Sequence, residues 1–195
     1  HPDRDRRRGR IWKITYEGDR ATPDKTPFED RRIVDRKLLE STNQTERRLA
    51  ADRLVDEIGM PGAKLARTML EEGLTSTARA EALWALFRLG VLKDYDLEAA
   101  FGTGDELLRT HGYRVLAQYR TRNAQPYLQQ GFRDESLTVR RAAVTAASVH
   151  LNPRNIRPLL SLHHKHQNDR HLRHVIRMSL PVSYTHLTLP TSLAV

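Results

Sequence analysis

Five histidines, His163, His164, His166, His171 and His174, fall within twelve positions of the 195-residue chain. On a helix, 163 and 166 share a face, and so do 171 and 174. Imidazoles at that i, i+3 spacing can bind zinc or copper. Asp169 is the one acid near them and the chain has no cysteine. No carboxylate or thiolate at fixed spacing therefore completes a ligand set. Paired carboxylates stand at Asp56-Glu57, Glu71-Glu72 and Asp105-Glu106. Neighbouring side chains on a helix diverge by about 100°, so these pairs do not converge on one substrate atom as acid and base. Asp105-Glu106 instead suits a helix start, where the dipole favours negative charge. Gly102-Thr103-Gly104 precedes that start in the manner of a phosphate-binding turn. It lacks the further glycines and the lysine of a P-loop, and reads as an inter-helix turn. The residues assign no catalytic group, no metal ligand and no cofactor contact.

Charge is the stronger signal. The net charge of +9 is unevenly spread. Residues 1–36 are net +3, residues 37–137 net −1, and residues 138–180 carry 8 positive and 1 negative side chain. Arg140, Arg141, Arg154, Arg157, Lys165, Arg170, Arg173 and Arg177 thus form a candidate basic binding surface that would attract phosphates or an acidic partner. Residues 138–180 contain no Phe, Tyr or Trp. Stacking on an unpaired base is not provided for, which leaves contact with duplex phosphates as the nucleic-acid alternative. No run approaches the ~18 apolar residues of a membrane-spanning helix. The missing cysteines exclude disulfides, thiolate metal sites and haem attached through C-x-x-C-H.

The elements that position these groups are legible from a repeat. Five arginine-centred stretches recur: ERRLAADRL (46–54), ARAEALWAL (78–86), LLRTHGYRVL (107–116), VRRAAVTAA (139–147) and LRHVIRMSL (172–180). In each, an arginine precedes a small or aliphatic residue by three: Arg47/Ala50, Arg79/Ala82, Arg109/Gly112, Arg140/Ala143, Arg173/Ile176. The arginines step by 32, 30, 31 and 33. Such a period marks units that bury their apolar faces by stacking on one another. The pairs Ala50/Leu54, Ala82/Leu86, Gly112/Leu116, Ala143/Ala147 and Ile176/Leu180 lie at i, i+4 on one face, and are expected in the core. The recurring arginines are expected to be solvated or paired between repeats. Helices are predicted over 33–41, 45–58, 61–73, 77–89, 95–101, 105–120, 124–131, 137–150, 154–166 and 170–180, which pair in order into five hairpins. Thr45 and Thr77 are candidate N-caps. Gly59, Gly73 and Gly90 are candidate left-handed helix ends. Pro61 and Pro153 suit first turns. The expected fold is all-α: an α-solenoid of about five HEAT-like hairpins.

Outside the repeats the pattern changes. Residues 10–16 (RIWKITY) alternate in polarity, with β-branched and aromatic side chains, and predict a short strand. A lone strand is not stable, so partners are expected upstream. The predicted organisation is 1–18 as the end of an upstream β (propeller-like) domain, 19–32 as a linker with Pro23 and Pro27, 33–180 as the repeat domain, and 181–195 as a non-native tail. Within that tail, residues 182–191 (VSYTHLTLPT) resemble the translation of a transposase-type sequencing adapter. The same reading frame would supply Ser192, Leu193 and Ala194 from an index, then Val195 and a stop.

The stretches RGRIWKITYEG (8–18), LLESTNQTERRLAADRL (38–54), ARAEALWALFRLG (78–90), DELLRTHGYRVLAQ (105–118) and NDRHLRHVIRMSL (168–180) together resemble the middle of membrane-bound dehydrogenases of planctomycete-type bacteria. The resemblance covers about residues 8–180. It implies a large periplasmic or secreted protein that joins a β-propeller, similar to sugar dehydrogenases, to HEAT repeats and a cytochrome c domain. Haem c and a propeller-bound cofactor would belong to those other domains, and no catalytic or haem-binding residue carries over to this stretch. The implied function is a non-catalytic scaffold that contacts other domains of its own chain or a partner protein. The alternative is a free-standing basic HEAT-repeat protein that binds nucleic acid or an acidic partner.

Overall fold

Helix start signals recur at one place in every repeat. Asn43, Thr75, Asp105, Ser136 and Asp169 each stand four residues before the repeat arginine. Each accepts a hydrogen bond from a backbone N–H in the first turn that follows: Thr45 at 2.9 Å, Ala78 at 3.2 Å, Leu108 at 3.0 Å, Val139 at 3.4 Å and Leu172 at 2.9 Å. Short polar side chains do this because the first amides of a helix have no partner within it.

A computed structural model describes residues 36–188, with side chains described to Leu180. The predicted strand and linker (1–32) lie outside the described residues. Among the described residues the chain is all-α. The helices are α1 (Arg36–Leu39), α2 (Gln44–Arg53), α3 (Gly62–Glu72), α4 (Ser76–Arg88), α5 (Asp94–Phe101), α6 (Glu106–Leu116), α7 (Ala124–Gly131), α8 (Leu137–Ala147), α9 (Ile156–Lys165) and α10 (Arg170–Thr188). A π-helical segment, Leu54–Ile58, prolongs α2, and a short 3₁₀ turn, Pro153–Asn155, leads into α9.

Consecutive helices pack in pairs: α1 on α2, α3 on α4, α5 on α6, α7 on α8 and α9 on α10. The second helices also touch in chain order, α2 on α4, α4 on α6, α6 on α8 and α8 on α10. The core runs along this row. Ala50, Leu54, Ala82, Leu86, Leu116, Ala143, Ala147 and Ile176 are buried, and Leu180 is half-buried. Each large aliphatic side chain buried there is worth about 2 kcal/mol. Small residues set the spacing. A Cβ at Gly112 would lie 2.7 Å from the Phe101 ring. That ring stacks on Tyr113 at 4.4 Å between centroids, and the Tyr113 hydroxyl donates to the Tyr127 carbonyl at 2.8 Å. One aromatic unit thereby joins α5, α6 and α7.

Four sequence expectations are corrected. The caps are Asn43 and Thr75, two residues before Thr45 and Thr77, because the shorter turns place the first helical amides earlier. Gly73 is not left-handed: its φ is −57°. A side chain there would meet the Met69 carbonyl and the Arg79 stem, so crowding demands the glycine. Gly59 and Gly90 do have positive φ, 68° and 69°, although Gly59, at ψ −139°, is not in the left-handed helical conformation. The segment 45–58 is not one α-helix, since its last turn widens and Gly59 N donates to Leu54 O at 3.0 Å. Finally, α10 continues past Leu180 to Thr188, through Pro181, which has no N–H to donate.

Gly131 of α7 sits where a Cβ would come within 2.5 Å of both Ala143 Cβ on α8 and Tyr113 Cζ on α6. Gly131→Ala is expected to destabilise the protein by about 2 kcal/mol through overpacking. Urea unfolding followed by circular dichroism measures this, and an unchanged midpoint would contradict the close approach.

Candidate functional site

The repeat arginines are built into the turns and do not simply face solvent. Each arginine N–H closes the first helical bond on its cap residue: Arg47 on Asn43 at 3.1 Å, Arg79 on Thr75, Arg109 on Asp105, Arg140 on Ser136 and Arg173 on Asp169 at 3.0 Å each. The guanidinium then folds back toward the preceding turn or helix end. Arg47 donates to the carbonyls of Ser41 (2.7 Å) and Thr42 (3.0 Å). Arg79 donates to Leu70 O at 2.7 Å, Arg109 to Thr103 O at 3.0 Å, Arg140 to Asp134 O, and Arg173 to Gln167 O at 2.9 Å. Carbonyls near helix ends and in turns have no partner in the helix ladder, and a cationic donor meets that need strongly.

Some of these arginines also tie neighbouring repeats together. Arg109 is buried and holds Asp134 through two bonds, Nε–Oδ2 at 2.8 Å and Nη2–Oδ1 at 3.1 Å. Ser76, at the start of α4, donates to Asp105, the cap of α6. Arg88 of α4 reaches Asp52 of α2 at 2.6 Å. The expectation of solvated or inter-repeat arginines is thus met by Arg109 between repeats. It missed the turn-closing role and the burial of Arg47 and Arg109. The signal available was the fixed step of four from cap to arginine.

The predicted basic surface divides in two. Arg140, Arg141 and Arg173 are half-buried and engaged: Arg140 with Asp134 O and with His166 Nε2 at 2.7 Å, Arg141 with Asp169 at 2.8 Å, and Arg173 with Gln167 O. Arg154, Arg157, Lys165, Arg170 and Arg177 are exposed. Geometry groups three of them, Lys165, Arg170 and Arg177, around the α9–α10 turn. One cavity of about 840 Å³ is lined by Leu137, Arg141, His164, Lys165, Asp169 and Arg170, among others. A second, of about 570 Å³, is lined by Arg170, His171, Arg173, His174 and Arg177. Arg170 and His171 line both. Arg154 and Arg157, at the far end of α9, line neither. His164, His166, His171 and His174 belong to this cluster, which charge counting at neutral pH overlooked.

Several of the residues singled out for chemistry have structural partners. Asp105 caps α6, Asp56 pairs with Arg88 at 3.1 Å, and Arg36 donates to the Glu72 carbonyl at 2.7 Å. The Thr103 carbonyl, in the glycine-flanked turn, is taken by Arg109. Among the described residues, no group of three His, Cys, Asp or Glu side chains is arranged to hold a metal ion. With no cysteine in the chain, the thioether attachment of haem c does not fit these residues. No described helix is long and apolar enough to cross a membrane.

Titration of the site and of its frame follows burial. His111 accepts the Trp84 indole N–H on Nδ1 at 2.9 Å, and burial, aided by Arg114, holds its pKa below the ordinary 6.5. Burial, Arg140 and Lys165 do the same to His166, with Asp169 opposing. The fold thus disfavours protonation of both imidazoles. Burial acts against ionised Asp105, but the hydrogen bonds from Ser76 and from the first-turn amides outweigh it and lower its pKa.

Below pH 6.5 the unfolded chain binds protons that the folded His111 and His166 refuse. Stability is therefore expected to be level above that pH and to fall as the pH drops below it. Thermal melts at pH 7.5 and 5.5 measure this, with a lower Tm at 5.5 and a smaller difference in His111→Gln. Breaking the buried pair with Arg109→Gln is expected to cost about 3 kcal/mol, because Asp134 is left without its cation. The same change at the more exposed Arg173 should cost well under half of that, as read from urea midpoints.

No family model matches this chain, and no curated protein matches it.

Proposed function

We propose that the repeats form a HEAT-like α-solenoid that serves as a non-catalytic scaffold. In this reading it is one segment of a larger secreted or periplasmic protein of the dehydrogenase type, linked to a cytochrome c domain. It holds other domains of its own chain, or a partner protein, in fixed geometry. One observation carries the scaffold reading: cap, arginine and a small or aliphatic residue recur in the same register in all five hairpins, while the second helices touch in chain order. A stack held by nearest-neighbour contacts offers extended surfaces to partners. The link to a dehydrogenase rests on the sequence resemblance of residues 8–180.

Two measurements test this. Residues 36–180 expressed alone are expected to be helical, to unfold cooperatively in urea, and to turn over no sugar or alcohol with an artificial electron acceptor. Turnover by that segment would overturn the non-catalytic reading. The reading frame upstream of His1 is expected to encode repeated four-stranded blades, and an unrelated upstream sequence would remove the dehydrogenase link while leaving the scaffold.

A further inference from the structure

The α9–α10 end concentrates cations that the fold does not consume. Residues 138–180 contain a single acid, Asp169. It is already held by Arg141 Nη2 at 2.8 Å and by the Leu172 N–H at 2.9 Å, so it is not available to neutralise the rest. Lys165, Arg170 and Arg177 are exposed and have no ion pair among the described residues. Arg170 and Arg177 lie two turns apart on α10, roughly 10 Å along its axis. His164, His171 and His174 stand between and beside them in the two adjoining cavities.

Apolar side chains are mixed into the same surface. Leu137, 39% exposed, lines the larger cavity with the cations, and Met178, 63% exposed, follows Arg177. Arginine and methionine are both enriched on protein-binding faces. A phosphate backbone offers nothing to either apolar side chain, and three unengaged cations are few against the six to ten phosphates of a typical duplex contact. The way Asp169 is held, between a guanidinium and a backbone amide, illustrates on this face how a carboxylate is received.

We infer that the α9–α10 end docks an acidic polypeptide segment of a partner protein, with carboxylates on Lys165, Arg170 and Arg177 and an apolar side chain against Leu137 or Met178. This rests on the scaffold reading and names the chemistry of its partner.

The full chain is titrated into a fluorescein-labelled twelve-residue peptide of alternating Glu and Leu at 150 mM salt, with anisotropy as the readout. Its Gln/Leu counterpart and a labelled 16-base-pair DNA duplex are run beside it. The Glu/Leu peptide is expected to bind about tenfold more tightly than the Gln/Leu peptide, and more tightly than the duplex. Arg170→Glu with Arg177→Glu should weaken it by about tenfold or more, with the far-ultraviolet dichroism and Tm unchanged. Arg154→Glu with Arg157→Glu makes the same charge change outside the cluster and should alter binding by less than about twofold. Equal binding of the two peptides, equal loss in both double variants, or tighter binding of the duplex would each overturn the inference. Each of those results with an intact melt leaves the scaffold standing, whereas loss of cooperative unfolding in the wild-type chain removes the scaffold itself.

Discussion

Each second helix begins after a turn whose carbonyls have lost their helical partners, and one arginine per repeat answers them. The arginine N–H fastens the helix to its cap, and its guanidinium fastens the preceding turn or helix end to the helix. Few side chains can do both. The reach must span from the fourth helical position back over the turn, and the charge must survive partial burial. Arginine meets this with a long stem, a planar fork of donors and a pKa too high to be lost on desolvation. The turn is thereby given one geometry, and the first helix of the pair is delivered against the second at a defined angle. The small residues at the next positions, Gly112 and Ala143 among them, then let the neighbouring helix close in.

The same device explains how charge is distributed. In the middle repeats some arginines meet acids of a neighbouring repeat: Asp134 engages Arg109, and Asp52 and Asp56 engage Arg88. At the α9–α10 end only Asp169 is available, and it serves Arg141. Arg140 turns to a histidine, His166, and to a carbonyl. Lys165, Arg170 and Arg177 at that end are exposed and have no ion pair among the described residues. Among the described residues charge is nearly balanced as far as residue 137 and in positive excess over 138–180, so the field that would steer a negatively charged partner is strongest in that last segment. The frame of the repeats and the proposed docking face are two outcomes of one rule, paired and unpaired arginine.

Much of the frame was legible. The step of about thirty-one residues, the small-residue positions and the ten helical segments follow from composition and period, because burial of one helical stripe leaves a direct trace in the order of residues. The caps were misplaced by two residues at Asn43 and Thr75, since Thr45 and Thr77 are chemically as able to cap and only the length of the turn decides between them. Gly73 was misread because a glycine required by crowding and a glycine required by positive φ look the same in a sequence. The candidate surface was half legible. Counting charge located the region, but could not separate Arg140, Arg141 and Arg173, which the fold engages, from Lys165, Arg170 and Arg177, which it does not.

What the order of residues determined by itself was local: which segments are helical, which stripe of each is apolar, and where an arginine can reach a turn just before it. These depend on separations of a few residues, and backbone geometry at that range is nearly fixed. What only the tertiary structure decided were the pairings across about thirty residues: Arg109 with Asp134, Trp84 with His111, Ser76 with Asp105, and the convergence of Lys165, Arg170 and Arg177 around two adjoining cavities. Those pairings depend on the angle at which one hairpin rests on the next. That angle is set by the packing of many side chains at once, and no short stretch of sequence contains it.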